Sequence, residues 1–164
     1  MTMLSEQLRA QLGREVVYTA PEEIGRAAIR YFAQAIGAVD PAYTSGDDPE
    51  APPTMICETN QYANLPADAD GYPGHGWHLD VPGARLVRGG NVYEFHQPAR
   101  ASDVLTVTWR LESMTERVTG GGTPMLVVLS TATYRNQRAE LLAVNTETLI
   151  YLGDAADERR EEKA

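Results

Sequence analysis

The segment DVLTVTWRLESMTERV, residues 103–118, decides the fold class. Leu105, Val107, Trp109 and Leu111 recur at every second position, with Thr106, Thr108 and Arg110 between them. A period of two is the pattern of a strand with one face in a core and one in water. The signal repeats downstream. TGGGTP (119–124) reads as a turn, PMLVVLSTATYRN (124–136) as a strongly apolar strand and RNQRAE (135–140) as a hairpin turn. ELLAVNTETLIYL (140–152) closes the set, with Leu142, Val144, Thr146, Thr148 and Ile150 alternating. Upstream, NVYEFHQP (91–98) predicts a short strand ended by Pro98. Residues 66–90 carry so much Gly, Pro and Asp that they read as irregular.

Helical signals occupy the first third. Leu4, Leu8 and Leu12 predict a short amphipathic helix over 4–14. In TAPEEIGRAAIRYFAQAIG (19–37), Thr19 and Glu22 have capping-box spacing and Pro21 sits in the first turn. Ile24, Ala28, Phe32 and Ala35/Ile36 make an apolar stripe, and Gly37 supplies the stop. TMICETNQYANL (54–65) predicts a second, more buried helix after a proline-rich loop. Long antiparallel strands after one buried helix indicate an α+β domain in which a sheet wraps a helix. Its edge strands call for pairing across a dimer.

Composition narrows the function. The 164 residues suit one domain, 43% are apolar and 23% charged. The net charge of −9, with no basic stripe, argues against a nucleic-acid partner. No apolar run approaches a membrane span, and the first residues lack a signal-peptide pattern, so a cytoplasmic protein is expected. Cys57 is the single cysteine, which rules out an intrachain disulfide and a thiolate cluster. Residues 153–164 are acidic and read as a solvated tail.

The order of pieces then becomes informative: a helix, G-x-x-D-P-x-Y (37–43), the APPTM helix start (51–55), RGGNVYEFHQP (88–98) and a long hairpin. It resembles the MaoC-type acyl-thioester hydratases and dehydratases of the hot-dog fold, in their N-terminal, FAS1-like dehydratase branch. The resemblance spans about Gly13 to Leu152 and is most specific over ARLVRGGNVYEFHQPARASDVLTV (84–107) and TYRNQ (133–137). Ser102 departs from it, standing where related sequences carry glycine before Asp103. The resemblance implies a single hot-dog domain over 1–152, an antiparallel sheet around a central helix. It also implies an acyl-CoA or acyl-carrier-protein ligand in fatty acid or polyketide metabolism, and no metal or redox cofactor.

In catalytic relatives the loop after the first long helix resembles G-D-x-N-P-x-H, whose aspartate and histidine activate water for addition to a 2-enoyl thioester. Carried onto this sequence, the aspartate position is Ala38, the asparagine position Asp40, and the histidine position Tyr43; Pro41 is retained. Alanine moves no proton, and a tyrosine with a pKa near ~10 is a poor base at neutral pH. The pair that opens the central helix is Pro53-Thr54, and Pro53 has no N–H to polarise a thioester carbonyl. The resemblance therefore implies a dyad-free, acyl-binding subunit beside a dyad-bearing partner, or a homodimer. Its substrate-contacting positions are Thr54, Met55, Arg85, Arg88, Gly89, Gly90, Asn91 and His96.

Several side chains support other readings. Glu94 and His96, at i and i+2 on one predicted strand, are an in-chain acid–base alternative for a self-sufficient hydratase or thioesterase, against a structural pairing. Asp40 with Tyr43 is a rearranged acid/base pair or a turn cap. Arg85 and Arg88 suit either CoA phosphates or surface solubility. His75 and His78 are too few for a zinc site, Trp77 is an acyl-channel cover or a loop anchor, and Cys57 is a small hydrophobe rather than a nucleophile. A non-enzymatic acyl-binding protein is the remaining alternative.

Overall fold

A computed structural model of the chain describes residues 2–69, 71 and 73–153. Five strands, β1 (Glu15–Thr19), β2 (Ala84–Phe95), β3 (Thr106–Val118), β4 (Pro124–Arg135) and β5 (Leu141–Gly153), form one antiparallel sheet. Their order is β1-β3-β4-β5-β2, so β1 and β2 are the edges. The alternation of residues 105–111 is realised in full: Leu105, Val107, Trp109 and Leu111 are buried. A register shift between Leu111 and Ser113 then brings Met114 onto the buried face. Gly153 belongs to β5; the predicted tail beyond it lies outside the described residues.

Two predicted helices begin or end elsewhere. Helix α1 spans only Glu6–Arg9, capped by Ser5, whose hydroxyl accepts from the Leu8 N–H at 3.2 Å. Leu4 and Leu8 are buried and Leu12 is exposed. Helix α2 spans Arg26–Ala35, not 19–36. Thr19 ends β1, and the N–H groups of Ala20, Ile24 and Gly25 donate to Leu105, Asp103 and Ala101 carbonyls, which ties the would-be first turns to the entry of β3. Gly25, at φ 84°, makes the corner that admits the helix. Ile29 and Ala33 are fully buried, whereas Ala28, Ala35 and Ile36 of the predicted stripe are exposed.

Residues 53–65 are not one helix but two 3₁₀ turns, Pro53–Glu58 and Asn60–Tyr62, broken at an extended Thr59. Pro52 and Pro53 remove two donors at the start. The Gln61 amide donates to the carbonyls of Ile56 and Cys57, acceptors that an α-helix would use internally. The segment is nonetheless central: Met55, Ile56, Cys57 and Tyr62 share one core with Ile29, Trp109 and Tyr134.

The predicted irregular stretch 66–90 also needs correction, because Ala84–Gly90 is the first half of β2. Gly89 and Gly90 form no turn; they make a bulge, with Arg88 opposite Leu149 and Gly90 opposite Thr148. A Cβ at Gly89 would lie 2.9 Å from Thr148 Cγ2 and 3.0 Å from the Thr148 carbonyl, so the bulge requires glycine.

The 135–140 hairpin is anchored by Asp103, which is buried. Its carboxylate accepts from the Arg100 N–H at 2.9 Å, the Asn136 amide at 3.2 Å and Arg138 at 3.0 Å. Ser102 beside it uses what a glycine would lack, since its hydroxyl donates to Asp48 at 3.0 Å.

Candidate functional site

The loop after α2 is closed by its own backbone. Gly37 at φ 69° ends the helix, and the Ala38 N–H donates back to the Ala33 carbonyl at 2.8 Å. Asp40 caps the 3₁₀ turn Pro41–Tyr43, its carboxylate accepting from the Ala42 N–H at 2.9 Å. Tyr43 is half-buried and packs on the core. Neither Ala38 nor Tyr43 lines a described cavity.

Four of the positions expected to touch substrate are spread over three cavities, His96 in the first, Met55 in the second and Arg88 with Asn91 in the third, whereas Thr54, Arg85, Gly89 and Gly90 line none of them. The first, about 330 Å³, is lined by Glu50, Ala51, Pro53, Ile56, Phe95 and His96, with residues 97–99 closing it. It brings His96 together with Glu50, not with Glu94. β2 ends at Phe95, so His96 lies just beyond the strand, its N–H donating to the Leu142 carbonyl at 2.8 Å. Glu94 and His96 are both exposed. Glu50 holds an ion pair with Arg100 at 3.0 Å. Thr54 is exposed at the rim of the turn. The second cavity, about 530 Å³, lies between α2 (Ala28, Tyr31, Phe32, Ala35) and Met55 with Thr59.

The third is a small polar chamber of about 60 Å³ against the inner face of the sheet. The sheet register explains its walls. Reading across β3, β4, β5 and β2, one row is Leu111, Ser130, Glu147 and Asn91; the next is Trp109, Ala132, Asn145 and Tyr93. Two buried polar side chains, Asn145 and Glu147, thus stand inward on β5. Arg88 reaches Glu147 at 3.0 Å, and Ser130 approaches its other oxygen at 3.5 Å. The Asn145 amide donates to Asn91 at 2.9 Å, while its Oδ1 is buried with no partner. Burial pushes the Glu147 carboxyl above its ordinary range, and Arg88 opposes that.

The rest of the lining is aromatic: Tyr62, Trp109, Tyr134 and His75, with Cys57. Trp109 and Tyr134 stand on the same sheet face, and Tyr62 and His75 come from the segments between α2 and β2. Trp109 Nε1 donates to the Tyr62 hydroxyl at 2.8 Å, and burial raises the Tyr134 hydroxyl far above its ordinary value. His75 stacks on Trp109 at 4.6 Å, meets Trp77 edge-on at 4.6 Å, and bonds the Tyr18 hydroxyl through Nδ1 at 3.0 Å. Burial, with Arg14 and His78 adding to it, pulls its pKa down to about 4, so the ring is neutral at pH 7. His78 is exposed, its ring lying over Gly76. Trp77 is buried with the Arg14 guanidinium 5.7 Å from its ring centre, which makes it a loop anchor.

The inward set Asn145/Glu147 escapes a reading of β5 by its apolar alternation, which favours Val144, Thr146, Thr148 and Ile150. The structure leaves those four half-buried on the other face. The register shift between Tyr134 and Arg135 at the hairpin flips the strand, and a slip of one residue exchanges every side chain between faces. Of the two arginines expected near a ligand's phosphates, Arg88 turns to Glu147 and Arg85 remains exposed.

Residues 10–144 match the family described as FAS1-like, dehydratase domain region. A UPF0336 protein of Streptomyces coelicolor is 34% identical over 105 residues, covering 63% of this chain and 70% of that protein. The solved ChsH1-ChsH2 complex from Mycobacterium tuberculosis superposes with a TM-score of 0.66 at 14% identity, over 86% of this chain and 85% of the other. The C-terminally truncated HadBC (3R-hydroxyacyl-ACP dehydratase) complex from the same organism gives 0.54 at 25% identity, over 83% and 96%. With the family match covering most of its length and the sheet matching such structures, the chain belongs to the FAS1-like dehydratase family and has the hot-dog fold of the MaoC-like dehydratases.

Proposed function

We propose that this chain is the substrate-binding and stabilising subunit of a heteromeric acyl-thioester hydratase or dehydratase, whose Asp/His pair is supplied by a partner. The substrate is a 2-enoyl-CoA or an enoyl-carrier-protein thioester. The observation that supports the reading is the loop after α2, a self-capped loop with Tyr43 half-buried; by the resemblance, Ala38 and Tyr43 correspond to the aspartate and histidine of catalytic relatives. Hydration adds the oxygen of water to the β-carbon and a proton to the α-carbon, so one group must take a proton from water and one must deliver one. In this proposal both belong to the partner. This chain holds the acyl portion in the groove lined by Pro53, Ile56 and Phe95. Arg85 stands at the other end of β2 from this groove and has no part in the proposal.

Partner pairing finds support in the edge strand. β2 runs for 12 residues along the rim and exposes Leu86, Val92 and Phe95 at 54%, 65% and 44%. An edge of that length and polarity is a template for another strand. The similar HadBC dehydratase is itself a complex. We assign the same kind of assembly to this chain, placed in the cytoplasm; among the described residues no helix is long and apolar enough to cross a membrane.

A second reading has one observation in its favour: Glu50 and His96 line the same cavity. A self-sufficient hydratase or thioesterase would use His96 with Glu50, or with Glu94. Affinity purification of the tagged chain from its own cells tests the assembly. The proposal expects a dimer with a hot-dog subunit that carries the Asp/His loop. A stable monomer at micromolar concentration, with no hot-dog subunit attached, contradicts it.

A further inference from the structure

The groove assigned above to the acyl portion has the polar chamber as its neighbour. Phe95 lines the 330 Å³ cavity, and Tyr93, stacked on it with ring centres 5.8 Å apart, lines the polar chamber. On the facing turn Ile56 lines the first and Cys57 the second. The two spaces therefore follow one another along the inner side of β2, the apolar one at the His96 end and the polar one at the Arg88 end.

A saturated alkyl chain has nothing to offer the deeper space. Asn145 is 2% exposed, and its Oδ1 has no partner. The His75 Nε2 is also buried without one. Packing methylene groups there would keep both unpaired, and a buried polar atom without a hydrogen bond is costly. A charged group is equally unsuited, because Arg88 and Glu147 already neutralise each other at 3.0 Å. A neutral group that both donates and accepts matches the walls. A hydroxyl has one proton to give: it can donate to Asn145 Oδ1 and accept from His75 Nε2–H, the tautomer in which the Tyr18 hydroxyl donates to Nδ1.

Resting on the acyl-binding reading above, we propose that the chamber lined by Asn145, Glu147, Asn91 and His75 receives a hydroxyl group carried by the acyl chain beyond its β-carbon. The protein then selects oxygenated acyl thioesters over alkyl ones of equal length. A site built to hydrogen-bond a hydroxyl discriminates against the analogue lacking it far more strongly than an apolar pocket discriminates by one methylene.

Calorimetric titration of the full chain, in the oligomer it forms in solution, with octanoyl-CoA and a set of monohydroxyoctanoyl-CoA isomers tests this. The expected result is at least one isomer binding ~10- to 100-fold tighter than octanoyl-CoA. Asn145→Leu should abolish that preference, so that the favoured isomer and octanoyl-CoA bind this variant equally. Asn91→Ala, at an exposed position, should weaken the preference through loss of the Asn145 anchor, and it serves if the buried variant does not fold. Octanoyl-CoA binding as tightly as every isomer overturns the inference and leaves the chamber to ordered water, with the acyl-binding reading intact. A preference that survives both variants overturns it too. If none of the thioesters binds, the acyl-binding reading itself fails, and this inference with it.

Discussion

His75 is the side chain whose protonation the fold penalises most visibly, and acidification isolates that penalty. Its ring is wedged between Trp109 and Trp77, its Nε2 is buried without a partner, and Arg14 adds positive charge nearby. A pKa lowered from 6.5 to about 4 means that the unfolded chain binds this proton more tightly than the folded one. The stability His75 contributes is therefore full above pH 6.5 and is lost as pH falls towards about 4. At about 1.4 kcal/mol per tenfold in proton affinity, the loss is about 3 kcal/mol at most. The ring is only half-buried, so solvent screening reduces this to about 2 kcal/mol. His75→Phe keeps an aromatic ring between the tryptophans, gives up the Tyr18 bond at a cost of about 1 kcal/mol, and relieves the unpaired Nε2 by a comparable amount. Wild type should thus be about as stable as the variant at neutral pH and about 2 kcal/mol less stable near pH ~4. Urea unfolding of both proteins across that range measures the divergence, and subtraction cancels the carboxylates they share. A stability difference that does not change with pH, or an imidazole resonance titrating near 6.5, would refute the reasoning.

Three further outcomes follow from the packing. Gly89→Ala pushes a Cβ against the Thr148 carbonyl, which cannot rotate away, and should cost about 1–3 kcal/mol of stability in denaturant unfolding. Asp103→Ala leaves the Arg100 N–H without its acceptor and takes one of two from the Asn136 amide, which keeps Glu140; with half-exposed Arg138 free to rehydrate, the loss should be about 1–3 kcal/mol, and hydrogen exchange in the 135–140 hairpin should rise. Glu147, its carboxyl raised by burial, binds its proton more tightly when folded, so its contribution falls as pH rises through that raised value; Glu147→Gln should gain on wild type with increasing pH, and a gain in the opposite direction would show Arg88 outweighing burial.

Strand β3 was legible because Leu105 to Leu111 carry a clean period of two that no competing pattern disturbs, and β4 and β5 followed as its apolar neighbours; edge strand β1, only five residues long, was not read as a strand. The helices were less so. Thr19 and Glu22 have the spacing of a cap, yet backbone pairing with the entry of β3 claims that stretch and delays α2 to Arg26. The first half of β2 was hidden by glycines that serve a bulge instead of a turn. The polar chamber was the hardest to see, because it depends on which face of β5 turns inward. A single register shift at the hairpin sets that face, and no local pattern records it. Ala38 and Tyr43 needed no structure to be noticed, only a loop to compare them with; Glu50 joins His96 solely through tertiary packing.

The central claim is that proton transfer does not originate in this chain. Hydration of crotonyl-CoA by the purified protein, alone and then mixed with its dyad-bearing partner, tests it most directly. A missing acid/base pair commonly lowers the rate by ~10²–10⁴-fold, so the chain alone should show little or no turnover. The mixture should restore it, and substituting the partner's aspartate or histidine should abolish it. Turnover at ordinary enzyme rates by the isolated chain, removed by His96→Ala, would contradict the account and move the chemistry into the cavity that His96 shares with Glu50.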